Sequence, residues 1–320
     1  MPIALAAVLC LQAWLVGYWI VDDAGITFAY ARNAAAGHGW VACAGDAPLE
    51  GFSNLLWALL LVPFLWLGAF DPVVTPKVLG LVAAFATLLL VGRAIGTSRG
   101  ETRPWADFGL LLLAVHPTFV VWSLSGLENG LYALCIATLL LASERAAHGS
   151  TSRRRAIGAG LIAGMAAATR PDGLVFAAWW PLTVLLAAPG ALRERCERAA
   201  LAAAVTAACI VGMTIWRWET FGDVVPNTFH AKVGSSAPPR KAERCDLPTG
   251  VVLLDRMRAH RHLAAPRFAV LPAGSPSWST TRHSSTTAGS ATVISWAAAE
   301  NATSAAANAT AIRRSATDRV

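Results

Sequence analysis

Two adjacent carboxylates, Asp22 and Asp23, stand where the first apolar run of the chain ends. A carboxylate at the edge of a hydrocarbon layer costs several kcal/mol unless it is hydrated or paired. The pair is therefore either a working group at the mouth of a helix bundle or an acidic helix end facing water. Other groups able to hold or move charge recur at the edges of later apolar runs. They are Glu50 in LEGFSN, Glu128 in SGLEN, Arg170 and Asp172 in RPDG, and Asn227, His230 and Lys232 in PNTFHAK. Each has a plain structural alternative. Glu128 opens a helix, where a carboxylate favours the positive dipole end. Arg170 can snorkel to an interface, and Asp172 can pair with it or cap the following helix. Asn227 suits a turn, while His230 and Lys232 suit juxtamembrane anchoring. His38 lies between two glycines and reads as a surface turn residue; His116, before Pro117, reads as a helix kink. Cys10, Cys43, Cys135, Cys196, Cys209 and Cys245 show no metal spacing, and read as small membrane hydrophobes. No glycine-rich phosphate loop is present.

The elements that must position these groups are membrane helices. Of the 320 residues, 55% are hydrophobic and only 14% charged, too little charge to clothe a soluble domain. A hydrocarbon core about 30 Å thick takes about 20 helical residues. Candidate spans cover 3–21, 54–70, 73–95, 106–122, 128–143, 156–169, 173–189 and 199–218. The first reads as a retained helix, since no basic stretch precedes it and no A-x-A cleavage site follows. Residues 24–36 predict a short amphipathic helix with Ile26, Phe28 and Tyr30 against membrane or bundle, stopped by Gly37 and Gly39. Gly158, Gly160 and Gly164 would let their helix pack closely.

The net charge is +7, and the positive residues cluster between apolar runs. Arg93, Arg99 and Arg103 form one cluster; Arg145 with Arg153, Arg154 and Arg155 a second; Arg193, Arg195 and Arg198 a third. That is the pattern of cytoplasmic loops, and it argues against nucleic acid as a partner. With these clusters inside, the segments 22–53, 123–127, 170–172 and 219–233 face outward. Only one net crossing then fits between 22–53 and 96–104. The run 54–70, interrupted by Pro63, is accordingly expected to be re-entrant or shallow. The expected fold is an all-α integral membrane protein: a multi-pass helical bundle of about seven to eight hydrophobic segments over 1–233. A low-complexity, disordered tail is expected over 234–320. Asn301 and Asn308 match the glycosylation acceptor pattern, which carries little weight in so biased a tail.

The run DDAGITFAYARNAAAGHGWV, followed by LEGFSNLLWALLL, resembles the opening of bacterial membrane glycosyltransferases of the GT-C superfamily, which draw sugars from polyprenyl phosphates. It is similar to the branch holding the mycobacterial terminal arabinofuranosyltransferases, and more distantly to protein mannosyltransferases and lipid A aminoarabinose transferases. WSLSGLENGLYA at 122–133, ATRPDGLVF at 168–176 and FGDVVPNTFHAKV at 221–233 agree with it and arrive in the family's order. Together they cover about residues 15–233. The tail from 234 has no counterpart, as expected of a truncated or frameshifted transferase.

The resemblance implies that Asp22 is catalytic and Asp23 supports it. A sugar hydroxyl has a pKa far above 7, and a positioned carboxylate that takes its proton contributes roughly 10²–10⁴ in rate. The departing phosphate needs positive charge or N–H donors, for which Arg170, His230 and Lys232 are the candidates. Glu50, Glu128, Asp172 and Asn227 are expected to help bind substrate, with Trp40 and Trp57 as sugar platforms. The sequence names no cofactor; the acids can hold a divalent cation, but no complete ligand set is evident. The implied activity is transfer, inverting at C1, from a polyprenyl-phosphate sugar to a glycan, lipid or protein acceptor. It would take place on the outer face of the cell membrane, for envelope assembly. Two other readings stand beside it. A transporter or flippase predicts charges within spans or repeated halves, and an inactive fragment of a transferase predicts no activity.

Overall fold

The computed structural model describes residues 2–97, 104–149 and 151–226. Among them the chain is all-helical, with no strand. The helices are α1 (Pro2–Val16), α2 (Ala24–Ala35), α3 (Leu55–Trp66), α4 (Val74–Thr97), α5 (Pro104–Val115), α6 (Pro117–Ser123), α7 (Asn129–His148), α8 (Arg153–Thr169), α9 (Trp179–Ala187) and α10 (Leu192–Phe221). A 3-10 turn, Pro171–Phe176, joins α8 to α9. The expected tail, with Asn301 and Asn308, lies outside the described residues.

Three helical stretches are long and apolar enough to cross a membrane: Val74–Ala94, Asn129–His148 and Leu192–Phe221. Pro2–Val16, Leu55–Trp66 and Pro171–Ala187 are apolar but shorter. Several expected spans are therefore shorter or broken, for local reasons. The first ends at Val16 because Gly17 takes a left-handed φ of +59°, which halts a helix. The run 106–122 splits at His116, because proline disfavours helical geometry in the residue before it; His116 has ψ 120°. The run 173–189 opens with the 3-10 turn, leaving α9 only nine residues. By contrast, α10 begins earlier than expected. The cluster Arg193, Arg195 and Arg198 lies within this helix, not in a loop. Pro63 sits inside α3 and does not end it.

Side-chain contacts fix how the helices run. In α1, Leu5 and Leu9 pack with Leu88 of α4 and with Leu110 and Ala114 of α5, and Gln12 Nε2 donates to Ala114 O at 2.8 Å. Lys77, buried at the start of α4, donates to the carbonyl of Gly17 beyond the end of α1, so these two helices are antiparallel. The α4–α7 approach is close. A methyl at Gly80 would lie 1.9 Å from Ser123 O, and one at Gly130 would lie 3.0 Å from Gly80 O. Helices α7 and α8 form a hairpin. Helix α8 runs parallel to α10 along a seam of small residues. Methyls at Gly160 and Gly164 would meet Ala202 O and Cys209 Cβ, each at 2.6 Å, and Thr206 Oγ1 donates to Gly160 O at 3.2 Å. The expectation for Gly158 fails, because it faces open space.

Residues 24–35 form the amphipathic helix read from the sequence, with Phe28 and Tyr30 buried and Ile26 exposed. Helix α2 packs on α3 through Phe28, Ala31, Trp57 and Leu61. After α3 the chain turns at Gly68 (φ +66°) and Phe70 returns to Phe28, ring centroids 5.4 Å apart. The α2–α3 pair thus stays beside the end of the bundle where α1 finishes and α4 and α7 begin.

Candidate functional site

That end gathers three of the motif segments. Val21 N donates to Ser125 O at 3.0 Å, and Trp57 Nε1 donates to Gly126 O at 3.1 Å. These bonds tie the segment carrying the paired acids, and the start of α3, to the SGLEN turn. Gly126 is required there: its φ is +89°, and a methyl would come within 2.9 Å of Ile20 and 3.2 Å of Ala24.

A chain of polar side chains links α2, the start of α3, the SGLEN turn and the RPDG segment. Thr27 Oγ1 donates to Asn54 Oδ1 at 3.0 Å, and Asn54 Nδ2 donates to Glu128 Oε2 at 2.7 Å. Glu128 Oε1 accepts from Arg170 Nη1 at 3.2 Å. The same Nη1 donates to Asn129 Oδ1 at 3.1 Å, and Arg170 Nε donates to Asp172 Oδ1 at 3.0 Å. The guanidinium lies 5.6 Å from the centre of the Tyr132 ring, a cation–π distance. Glu128 precedes the first turn of α7 but makes no capping bond with its side chain. Both its oxygens go to tertiary partners, while its place at the start of α7 keeps the charge at the positive end of the helix dipole as expected. Partial burial depresses the Arg170 pKa, but the hydrogen bond and charge of Asp172 and the charge of Glu128 outweigh that and hold it above its ordinary value.

Glu50 is not open to a ligand. Its carboxylate is 2% exposed and accepts from Arg217 Nε of α10 at 3.0 Å. Burial raises its pKa, with Arg217 pulling the other way. Around this pair Trp40, Phe52, Trp216 and Phe221 form a ring cluster with neighbouring centroids 5.5–6.4 Å apart. Tyr30 clamps the segment by donating to Leu49 O and accepting from Gly51 N, and Asn33 Nδ2 donates to Val41 O and Ala42 O at 2.9 Å each. Segment 50–54 therefore hangs between α10, through Glu50, and the SGLEN turn, through Asn54.

Asp22 and Asp23 are exposed, the Asp22 carboxylate accepting from Asp23 N at 3.1 Å. Trp57 is not a sugar platform: it is 1% exposed and spent on the Gly126 carbonyl. Trp40 is half-buried in the aromatic cluster, and His38 is exposed in its turn as expected. Cys43 is disulfide-bonded, which corrects its reading as a membrane hydrophobe. Asn227, His230 and Lys232 lie outside the described residues. Among the described residues no group of three or more His, Cys, Asp and Glu side chains converges as a metal site requires.

The residues missed in the sequence are Thr27, Asn54, Asn129, Tyr132 and Arg217. Asn54 closes the quoted LEGFSN stretch and Asn129 follows Glu128, so both were within view; Arg217, between Trp216 and Trp218 in an apolar run, offered only the signal of a charge where hydrocarbon is expected. Comparison with protein-family models, with curated proteins and with solved structures finds no match for this chain.

Proposed function

We propose that this chain is a membrane glycosyltransferase of GT-C type. It would move a sugar from a polyprenyl-phosphate donor to an acceptor on the non-cytoplasmic side. The observation that carries the reading is the bonded chain Thr27–Asn54–Glu128–Arg170, which joins sequence-distant motifs, while Val21, beside the exposed Asp22–Asp23 pair, is bonded to Ser125 of the SGLEN turn. A cation held from several sides at the edge of a bundle is suited to a phosphate, and a hydrated carboxylate is suited to a hydroxyl proton.

In this reading Asp22 takes the acceptor proton as the acceptor oxygen bonds to C1. The C1–O bond to phosphate breaks and its electron pair leaves with the phosphate beside Arg170. The orientation follows from charge. Arg145, Arg153, Arg154, Arg155, Arg193, Arg195 and Arg198 lie at the helix ends opposite this site, as a positive cytoplasmic face requires. The disulfide at Cys43 fits an oxidising compartment for the 36–54 loop. With α2 and α3 kept at the outer end, α1, α4, α5–α6, α7, α8, α9 and α10 traverse the bilayer alternately. The shorter of them are completed by flanking residues.

The test is transfer in liposomes. Purified chain is given polyprenyl-phosphate sugars of several kinds, and released polyprenyl phosphate and glycosylated acceptor are measured. Transfer that depends on the chain supports the reading. Solute movement without transfer would favour a transporter, and neither would leave an inactive bundle.

A further inference from the structure

The two carboxylates on Arg170 are not equivalent. Glu128 is 8% exposed on its side chain, and its second oxygen is held by Asn54 at 2.7 Å. To leave Arg170 it would have to break both bonds and stay buried as an unpaired charge, which is strongly disfavoured. Asp172 is 56% exposed and holds Arg170 by one bond, Nε to Oδ1, at 3.0 Å. Water can replace that bond at small cost. Arg170 itself is 37% exposed, and its Nη2 has no partner among the described residues.

The charges make this asymmetry matter. One guanidinium faces two carboxylates, so the trio carries a net negative charge while both acids are ionised. A third anion arriving with both in place would meet repulsion; with Asp172 withdrawn it meets a neutral Arg170–Glu128 pair and a free Nε–Nη2 edge. That edge offers two parallel N–H donors, the geometry that suits two oxygens of a phosphate.

We propose that Asp172 is a resident stand-in for the phosphate of the substrate: it occupies the Nε position of Arg170 in the empty site and swings into water when a phosphate ester arrives. Glu128, Asn129 and the face of Tyr132 hold the guanidinium still throughout the exchange. This inference rests on the transferase reading for its lipid-borne source of phosphate, but the exchange itself is a property of Arg170 and Asp172.

The experiment is calorimetric titration of the full chain in detergent with dodecyl phosphate and, separately, inorganic phosphate. Three proteins are compared: the wild type, Asp172→Asn and Arg170→Gln. Removing a competing exposed carboxylate tightens binding of dodecyl phosphate by about two- to tenfold in Asp172→Asn. Arg170→Gln weakens it at least about tenfold. Equal or weaker binding by Asp172→Asn, with Arg170→Gln still impaired, overturns the stand-in role and leaves the phosphate site intact. Loss of the difference between wild type and Arg170→Gln overturns both the stand-in and the phosphate site. Inorganic phosphate that binds as tightly as dodecyl phosphate, with the same gain in Asp172→Asn, supports the exchange but makes a soluble phosphate ester the source. The melting temperature of Asp172→Asn is measured alongside; a fall of many degrees would mark a structural residue and overturn the proposal.

Discussion

Glu50 and Arg217 lie 167 positions apart in the chain and meet as a buried ion pair, Arg217 Nε 3.0 Å from Glu50 Oε1. The pair fastens the segment before α3 to the last turns of α10. Burial holds the Glu50 pKa above its usual value even with the guanidinium in place. A carboxyl whose folded pKa is raised binds its proton more tightly in the folded protein. Its contribution to stability is therefore fullest below the unfolded pKa and declines as pH rises through the folded pKa.

Arg217→Met removes both influences that lower that pKa, so it widens the gap and steepens the decline. Near pH 7 the substitution costs about 3 kcal/mol or more, because Glu50 must stay buried without its partner or bind a proton. Near pH 4, where the carboxyl is protonated in both states, most of that cost disappears. Unfolding of wild type and variant in detergent across this range decides it; a loss that does not change with pH would show that Arg217 acts through packing alone.

Asn54 is the joint between the two halves of the site, accepting from Thr27 and donating to Glu128 while 5% exposed. Asn54→Leu leaves the Thr27 hydroxyl and one oxygen of Glu128 buried without partners. The expected cost is about 1–3 kcal/mol for each. Arg170 should lose its fixed position as well, so dodecyl phosphate affinity drops together with stability. Titration and thermal unfolding on the same preparation check this. Unchanged affinity in a destabilised Asn54→Leu would separate the asparagine from the site.

Much of this was legible in the residues. The carboxylates and the SGLEN and RPDG motifs are read from sequence, because charges and glycines interrupt an apolar pattern in plain sight. Helix ends were less legible. Gly17 is a helix stop, but Tyr18, Trp19, Ile20 and Val21 after it keep the hydropathy high, so the run looked continuous to 21. Partners were the least legible. Nothing local to Glu50 names Arg217, and nothing local to Trp57 shows that its ring nitrogen is committed to Gly126. Those facts depend on which helices meet, and apolar periodicity fixes a helix's existence more firmly than its neighbours.

Gly80 and Gly158 make a paired test of helix contact. A methyl at Gly80 would sit 1.9 Å from the Ser123 carbonyl, a backbone atom that cannot rotate aside, whereas Gly158 meets nothing within 4 Å. Gly80→Ala should therefore force α4 away from the α6–α7 junction and cost about 3 kcal/mol, or more if the junction cannot shift. Gly158→Ala should stabilise by about 0.5–1 kcal/mol through lower backbone entropy in the unfolded chain. Equal effects at the two positions would mean that α4 is not seated where it is described.

Asp22 and Asp23 are both exposed, and that exposure makes their functional test clean. Surface substitutions away from buried networks change stability by about 0.5 kcal/mol or less, so any large loss of activity in Asp22→Asn belongs to the chemistry. If Asp22 is the proton acceptor, the amide cannot replace it, and transfer falls by about 10²–10⁴ while phosphate affinity at Arg170 is kept. Asp23→Asn should fall less, because the neighbouring carboxylate still takes the proton. The alternative order, with Asp23→Asn the more damaging, would move the role by one residue without disturbing the site. Full transfer by the double substitution Asp22→Asn with Asp23→Asn would remove the acid pair from the mechanism. The proton would then have to go to another group, and Asp172, once displaced from Arg170 into water, is the nearest in sequence to the phosphate seat that could receive it.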